Sequence, residues 1–204
     1  THVHTHADLI VGLPGETFSS FAEGFNRLAS FGPDEIQVGI LKRLKGTPIA
    51  RHEVSFKMQY SEAPPYQILS TTTMNYTGLQ KMNRFAKFWD LYANSGEFKN
   101  FMNWLRTQNA NLFDVFFQFS EFLAAKYSET HSISLLSLSE QAWLFMLKLG
   151  VGADQAQEII LNDYSYGTKR RDTPVFLNKK RDVIPNISSQ LKTSLNYRQL
   201  NHSK

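Results

Sequence analysis

The chain opens with an apolar run and a turn, followed by apolar residues at helical spacing. Leu9-Ile10-Val11 is bounded by Gly12 and predicts a strand buried on both faces, as in a parallel sheet. A helix is predicted from Thr17, a suitable N-cap, to the stop at Gly32-Pro33. The alternating positions from Glu35 to about Leu41 predict a second strand. The helix presents one apolar stripe, made of Phe18, Phe21, Ala22, Phe25, Leu28 and Ala29.

A strand, a helix and a strand within about 35 residues predict a βαβ unit with parallel strands and a right-handed crossover. A lone βαβ unit cannot cover both faces of two buried strands, so further strands are expected beside it. They could come from another part of the same protein, from a second copy, or from the connector, where residues 54–60 could pair.

After the second strand the pattern changes from irregular to helical. Residues 46–75 are predicted to be extended, with a short helical turn at Gly46-Thr47-Pro48 and no helix across Pro64-Pro65. The Phe-rich helix near 113–123 is apolar nearly all round, which predicts a central place in a bundle. Helices are predicted near 75–94, 97–109, 111–128, 139–149 and 153–165.

The predicted fold class is an α/β fragment, a βαβ piece of a partial TIM-like barrel, followed by a mainly α-helical domain. The expected division is a barrel part over 1–60, a helical domain over 61–168 and a basic tail over 169–204. The tail holds nine Lys/Arg against two Asp, whereas residues 1–168 hold 13 basic and 16 acidic side chains. Within the tail, one short docked segment is expected at Val175–Leu177.

The composition narrows the class of protein. With 42% hydrophobic and 13% aromatic residues, the chain can form a globular core. The absence of cysteine excludes disulfides, thiolate-bound zinc and an iron–sulfur cluster held by thiolates of this segment. No apolar run reaches the roughly 20 residues of a membrane span, so no membrane partner and a cytoplasmic location are expected. The body is not basic, which argues against nucleic acid as a partner.

The amino-acid sequence around the two predicted strands resembles that of a known enzyme family. "DLIVGLPGET", a helix and then "EIQVGILKRLKGTPI" are similar to the fifth and sixth strands of radical S-adenosylmethionine (SAM) enzymes of the type that has a cobalamin-binding domain. "PPYQILSTTTMNY" and "FWDLYANSGEF" look like the helical C-terminal extension of some members. The resemblance covers about residues 6–165 and is most specific over 6–48.

The resemblance implies a SAM-binding wall and a set of cofactors. It places the bend after the first strand beside the adenine of SAM, and Gln37 and Leu41 of the second strand in the barrel interior or at the adenine edge. The implied cofactors of the full-length protein are SAM, a 4Fe-4S cluster and, upstream, cobalamin. The implied contact residues are Ile10, Gly12, Leu13, Pro14, Gly15, Glu16, Gln37 and Leu41. Glu16 stands one position later than the acid of the commonest fifth-strand motif.

One departure from the family pattern and two alternatives accompany this hypothesis. The family's three-cysteine motif is absent, so the chain is expected to be a C-terminal fragment of an oxidoreductase or methyltransferase, inactive alone, with catalytic residues unknown. The expected partners are the upstream domains of the same protein, an unknown substrate and, to cover the open sheet edges, a second copy. An alternative is a non-catalytic helical module whose basic tail contacts RNA or an acidic protein. A self-contained hydrolase-like domain lacks a nucleophile elbow.

The alternating His2, His4 and His6 suggest a further possibility. On a strand the three imidazoles would lie on one side, an arrangement that suits zinc. A frayed terminus explains them more simply, and no metal site is expected.

Overall fold

The computed structural model describes residues 3–108, 111–127 and 132–168, together with Pro174 and Leu177. The protein is mixed α/β and 56% helical, with six α-helices in the described part. It forms two compact units that divide at Ser134, and each is considered by itself. The predicted division into 1–60, 61–168 and 169–204 stays a prediction, because packing alone does not establish which segments fold independently.

The first unit contains the βαβ element, a connector and three further helices. Its elements are β1 (His6–Val11), α1 (Phe18–Ser30), β2 (Glu35–Ile40), a 3₁₀ helix (Pro48–His52), β3 (Gln59–Tyr60), β4 (Ile68–Ser70), α2 (Tyr76–Trp89) with a π-helical turn (Asp90–Asn94), α3 (Lys99–Thr107) and α4 (Leu112–Lys126).

β1 and β2 pair in parallel, which confirms the predicted βαβ unit. His6 lies opposite Glu35 and Val11 lies opposite Ile40. β1 begins three residues earlier than the apolar run, because the alternation that ends in the fully buried Val11 extends back through the half-buried Ala7. A strand with one partly open face needs only every second residue to be apolar.

The helix between the strands begins and ends where the sequence predicts. The Thr17 hydroxyl accepts a hydrogen bond from the Ser20 amide at 3.0 Å, and the Ser20 hydroxyl accepts one from the Thr17 amide at 2.9 Å. This capping box satisfies amides that the first turn leaves open. Phe21 and Phe25 are buried, and Gly32 follows the last turn with φ +67°.

The connector folds back on itself. Pro48 opens the 3₁₀ helix, as predicted, and β3 pairs with β4 in an antiparallel hairpin. The suggestion that residues 54–60 pair with the βαβ sheet is therefore wrong, because the backbone of 59–60 is occupied by β4. The end of β2 is met by β4 instead, where the Ile68 amide donates to the Leu41 carbonyl at 2.9 Å.

α4 is the central helix of this unit, as its all-round apolar pattern predicts. It packs against α1, α2 and α3. Phe113, Phe116 and Phe119 are fully buried along it. The rings of Phe113 and Phe116 meet Phe85 and Trp89 of α2, mostly edge to face, with centroids about 5 Å apart. Phe119 packs edge to face on Phe116.

The second unit contains α5 (Leu135–Lys148) and α6 (Ala153–Thr168), which pack against each other. α5 begins four residues before the predicted start, because Ser134 caps it by accepting from the Ser137 amide at 3.2 Å. The predicted basic tail lies outside the described residues, apart from Pro174 and Leu177. The Leu177 amide donates to the Pro174 carbonyl at 3.0 Å and its side chain is buried, while the rest of the docked segment is not described.

Two observations bound the fold class. The described strands form two two-stranded sheets and no barrel, so the α/β and helical parts of the prediction are confirmed while the partial barrel stays a prediction. Over the same residues, no helix combines the length and the apolar character that crossing a bilayer requires.

Candidate functional site

The parallel pairing brings two segments to the same rim of the sheet. The Gly12–Glu16 bend follows β1, and residues 41–47 follow β2. Ligands of parallel sheets bind beyond this carboxyl edge, so the rim is the candidate ligand-binding site.

The Gly12–Glu16 bend is held by hydrogen bonds that involve its own residue Glu16. The Gly12 amide donates to Oε2 of Glu16 at 2.8 Å, and the Glu16 amide donates to the Leu13 carbonyl at 3.1 Å. Burial raises the pKa of Glu16, although the amide hydrogen bonds act in the opposite direction. The Glu16 carboxylate therefore closes the turn, and it is not directed at an external ligand.

Close packing and backbone conformation explain Gly12, and backbone conformation is the main reason for Gly15. Gly12 has φ +91°, and a Cβ built on it would lie 2.8 Å from the Cγ2 of Ile68. Gly15 has φ +79°, and its Cβ would lie 3.2 Å from the Phe56 ring. The Thr73 hydroxyl also donates to the Glu16 carbonyl at 2.5 Å. The bend thus packs against the connector and the segment that precedes α2.

The outer face of the βαβ sheet is open. Ile10 of β1 is 45% exposed and lies opposite Gly39 of β2, so no side chain covers it on that side. Leu13, just past the strand, is 39% exposed, and Gln37 is exposed on the same strand as Gly39. An apolar residue beside a glycine forms a flat surface that suits a planar ring.

A cavity of about 520 Å³ lies beside this face and brings predicted residues together. Ile10, Gln37 and Leu41 line it with Lys87 and Asp90 of the α2 region. The sequence does not predict that Lys87 and Asp90 line this cavity, because nothing distinguishes them from polar residues on an ordinary solvated helix face.

The eight predicted contact residues thus divide into two groups. Ile10, Leu13 and Gln37 are accessible, and Gly15 is exposed in the bend although Phe56 crowds its Cα. The other four, Gly12, Pro14, Glu16 and Leu41, are half or fully buried. Their role as SAM contacts stays a prediction.

The far edge of β2 is closed at its start by side chains. The Trp89 indole donates to the Ile36 carbonyl at 2.8 Å, and the Asn94 amide donates to the same oxygen at 3.1 Å. A neighbouring strand would need that carbonyl, so these two side chains block strand pairing at the start of the β2 edge. Sequence analysis missed this pair, since contacts across 53 and 58 residues leave no local pattern.

Histidine and carboxylate side chains lie at the opposite, amino end of the strands. His6 contacts Asp8 at 3.1 Å and Glu35 at 3.3 Å, and these two hydrogen bonds raise its pKa above 6.5. Among the described residues no three His, Asp or Glu side chains are arranged to hold a metal ion. His2 lies outside the described residues.

The fold and rim define a mixed α/β protein in which a parallel βαβ element is packed in one unit with a helical bundle. Residues 54–203, almost three quarters of the chain, match the model of a family described as protein of unknown function (DUF4080), and the chain belongs to that family. No curated protein matches the sequence. The whole βαβ element, from His6 to Ile40, precedes the matched region.

Proposed function

We propose that the chain is the C-terminal part of a radical SAM enzyme of the cobalamin-binding type, an oxidoreductase or methyltransferase. Its βαβ element would form the last strands of the partial barrel. The observation that supports this most is the cavity that Ile10, Gln37 and Leu41 line, which runs along β2 from mid-strand to its carboxyl end. Ligands of open α/β sheets bind at that end.

The residues fit SAM in part. Ile10 and Gly39 offer an open apolar surface to the adenine ring, and the Gln37 amide is accessible on the same face. Gly12 and Glu16 hydrogen-bond to each other within the bend, so they would hold the wall in place and not contact the cofactor directly, whereas the backbone of Leu41 is bound to Val11 and Ile68 and its side chain lines the cavity. SAM, once reduced by a cluster, supplies a 5′-deoxyadenosyl radical.

The other parts of the enzyme would lie outside this chain. With no cysteine here, the ligands of a 4Fe-4S cluster must come from upstream domains of the same protein, as must any cobalamin site. The open β1 edge is where an upstream strand would pair, since Trp89 and Asn94 block pairing at the start of the β2 edge. The DUF4080 family is associated with radical SAM/cobalamin proteins, which supports the proposal. The helices would then cover the barrel.

The test uses the full-length protein that contains the upstream region. We expect it to be brown after anaerobic reconstitution with iron and sulfide, and to release 5′-deoxyadenosine from SAM when dithionite is added. Ile10→Glu should reduce SAM binding, because a carboxylate would replace the apolar surface under the ring. Phe31→Glu, an exposed position beyond α1, is the matched control and should leave binding unchanged.

A full-length protein that is colourless and inert toward SAM would refute the proposal. Salt-dependent RNA binding by the chain, lost on deleting residues 169–204, would favour the interaction-module alternative instead.

A further inference from the structure

A pocket of about 880 Å³ lies just beyond the carboxyl end of β2. Its lining residues come from 43–47, from Ala50 and Glu53, and from 58–66. None of the eight residues discussed above as SAM contacts lines it. Its volume is within the range of small-molecule sites, about 300–1,000 Å³.

Tyr66 at the rim of this pocket is held in a strained conformation. Its φ is +57°, a region that a bulky side chain seldom adopts. Two backbone hydrogen bonds fix it there, one from its amide to the Ala63 carbonyl and one from the Arg43 amide to its carbonyl, both at 2.9 Å. The ring nevertheless remains 44% exposed. The turn therefore holds an exposed aromatic ring at the rim of the pocket, where the ring is accessible to a ligand.

The pocket walls are suited to a flat apolar ligand. Leu44, which is 56% exposed, and the buried Met58 both line the pocket. Tyr60 is half-buried, and its hydroxyl lies 3.7 Å from the Met58 sulfur. Burial, followed by the carboxylate of Glu53, raises the pKa of Tyr60 above 10.0, so its hydroxyl stays a hydrogen-bond donor at neutral pH.

The charged side chains of the pocket balance. The Arg43 guanidinium makes a two-point ion pair with the Glu53 carboxylate. Lys45 and Glu62, of opposite sign, complete the charged lining. A pocket for phosphate or another anion would be expected to have an excess of positive charge.

We propose that this pocket binds a planar aromatic ligand without net charge, with Tyr66 as its principal contact. The ring of Tyr66 stacks on the ligand, Leu44 and Met58 supply apolar surface, and the Tyr60 hydroxyl serves as a polar group at the ligand edge. The proposal does not depend on a radical SAM role for the protein.

The test is a binding experiment on the full chain with small probes. Indole and nicotinamide represent uncharged aromatic ligands, cyclohexanol an uncharged non-aromatic one, and inorganic phosphate an anion. We expect the aromatic probes to shift the amide resonances of Gly46 and Thr47 at millimolar concentration. Cyclohexanol and phosphate should leave these resonances unchanged.

Three variants separate the role of the ring from folding. Tyr66→Gly retains the positive φ without strain, removes the ring, and should weaken aromatic binding about tenfold, the effect of losing one stacking contact. Tyr66→Phe keeps the ring and should bind as the wild type does. Tyr76→Ala removes an exposed tyrosine of α2 that does not line the pocket, and should also have no effect.

The proposal is overturned if the aromatic probes leave Gly46 and Thr47 unshifted, or if Tyr66→Gly binds them as tightly as the wild type. Stronger binding of phosphate than of indole would overturn it as well. Circular dichroism of each variant establishes that the fold is retained, and tighter indole binding by Tyr66→Gly would count against a stacking role.

Discussion

The two segments at the sheet rim both contain residues with positive φ, but for different structural reasons. The bend after β1 has positive φ at Gly12 and Gly15, where a side chain would collide with Ile68 or Phe56. The hairpin that meets the end of β2 has positive φ at Tyr66, where the side chain faces an open pocket. Glycine at a rim here indicates close packing, whereas a strained aromatic residue indicates an exposed surface.

The hydrogen bonds of the two segments support the same contrast. In the bend, the Glu16 carboxylate and carbonyl accept from Gly12 and Thr73, so the polar groups are satisfied within the chain. Beyond β2, exposed side chains of both apolar and charged type, such as Leu44 and Lys45, face the solvent, while backbone amides are bound to the Tyr66 and Leu44 carbonyls. The bend after β1 therefore has a structural role, whereas the segment beyond β2 presents an accessible surface.

The largest expected effect is that of Gly12→Ala. Alanine at this position would have to adopt φ +91°, and its methyl carbon would lie 2.8 Å from Ile68. Backbone strain and overpacking together should lower the free energy of unfolding by about 3 kcal/mol. Urea denaturation measures this. Gly24→Ala, in α1 with no atom within 4 Å of the new methyl, is the control and should raise stability by about 0.5–1 kcal/mol. A tolerated Gly12→Ala would mean that the bend is free to face a ligand.

Gly15→Ala should have a smaller effect of the same sign. Its φ is +79°, but the nearest atom, on the Phe56 ring, is 3.2 Å away and belongs to a half-buried side chain. We expect a loss of about 1–2 kcal/mol, mostly from backbone strain. Combining it with Phe56→Leu tests the contact. The double variant should recover only a few tenths of a kcal/mol, about the size of coupling between weak neighbours, and full recovery would show that packing, not φ, requires this glycine.

The βαβ element could be predicted from sequence because its signals are local. Thr17 and Ser20 define the helix start within one turn, and Gly32-Pro33 defines its end. The period of the apolar residues then distinguishes strand from helix. α5 was placed four residues late for a local reason as well, since serines such as Ser134 and Ser137 are typical of both loops and helix caps.

The candidate site could be predicted only in part. Ile10 and Gln37 follow from the strand pattern and the resemblance, but their exposure depends on Gly39 and on the absence of a further described strand over that face. The pocket beyond β2 is assembled from two irregular segments with no periodicity. The hydrogen bond from the Trp89 indole to the Ile36 carbonyl at the β2 edge joins two residues that are 53 positions apart in the sequence. Such features depend on tertiary packing, which a single sequence does not encode in any short pattern.

Tyr66→Gly is expected to change stability little, in contrast to the bend glycines. Relief of the strain at φ +57° offsets the loss of apolar contact from a ring that is partly exposed. The free energy of unfolding should stay within about 1 kcal/mol of the wild type. Thermal unfolding is a sufficient measurement, with Tyr76→Ala as the control. A loss comparable to that of Gly12→Ala would show that the ring has a packing role and would remove the contrast between the two segments.

Glu16→Gln should give the smallest effect, visible as a dependence on pH. Because burial raises the folded-state pKa of Glu16 above 4.5, the folded state binds this proton more readily than the unfolded state. Its contribution therefore favours folding below the unfolded pKa and is lost as the pH rises through the folded value. Glutamine does not titrate, so the variant should gain stability relative to the wild type between acid and neutral pH. Urea unfolding at several pH values measures the difference, and Glu23→Gln on the exposed side of α1 corrects for the loss of one charge. The opposite slope would mean that the amides of the bend stabilise the Glu16 carboxylate more than burial opposes it.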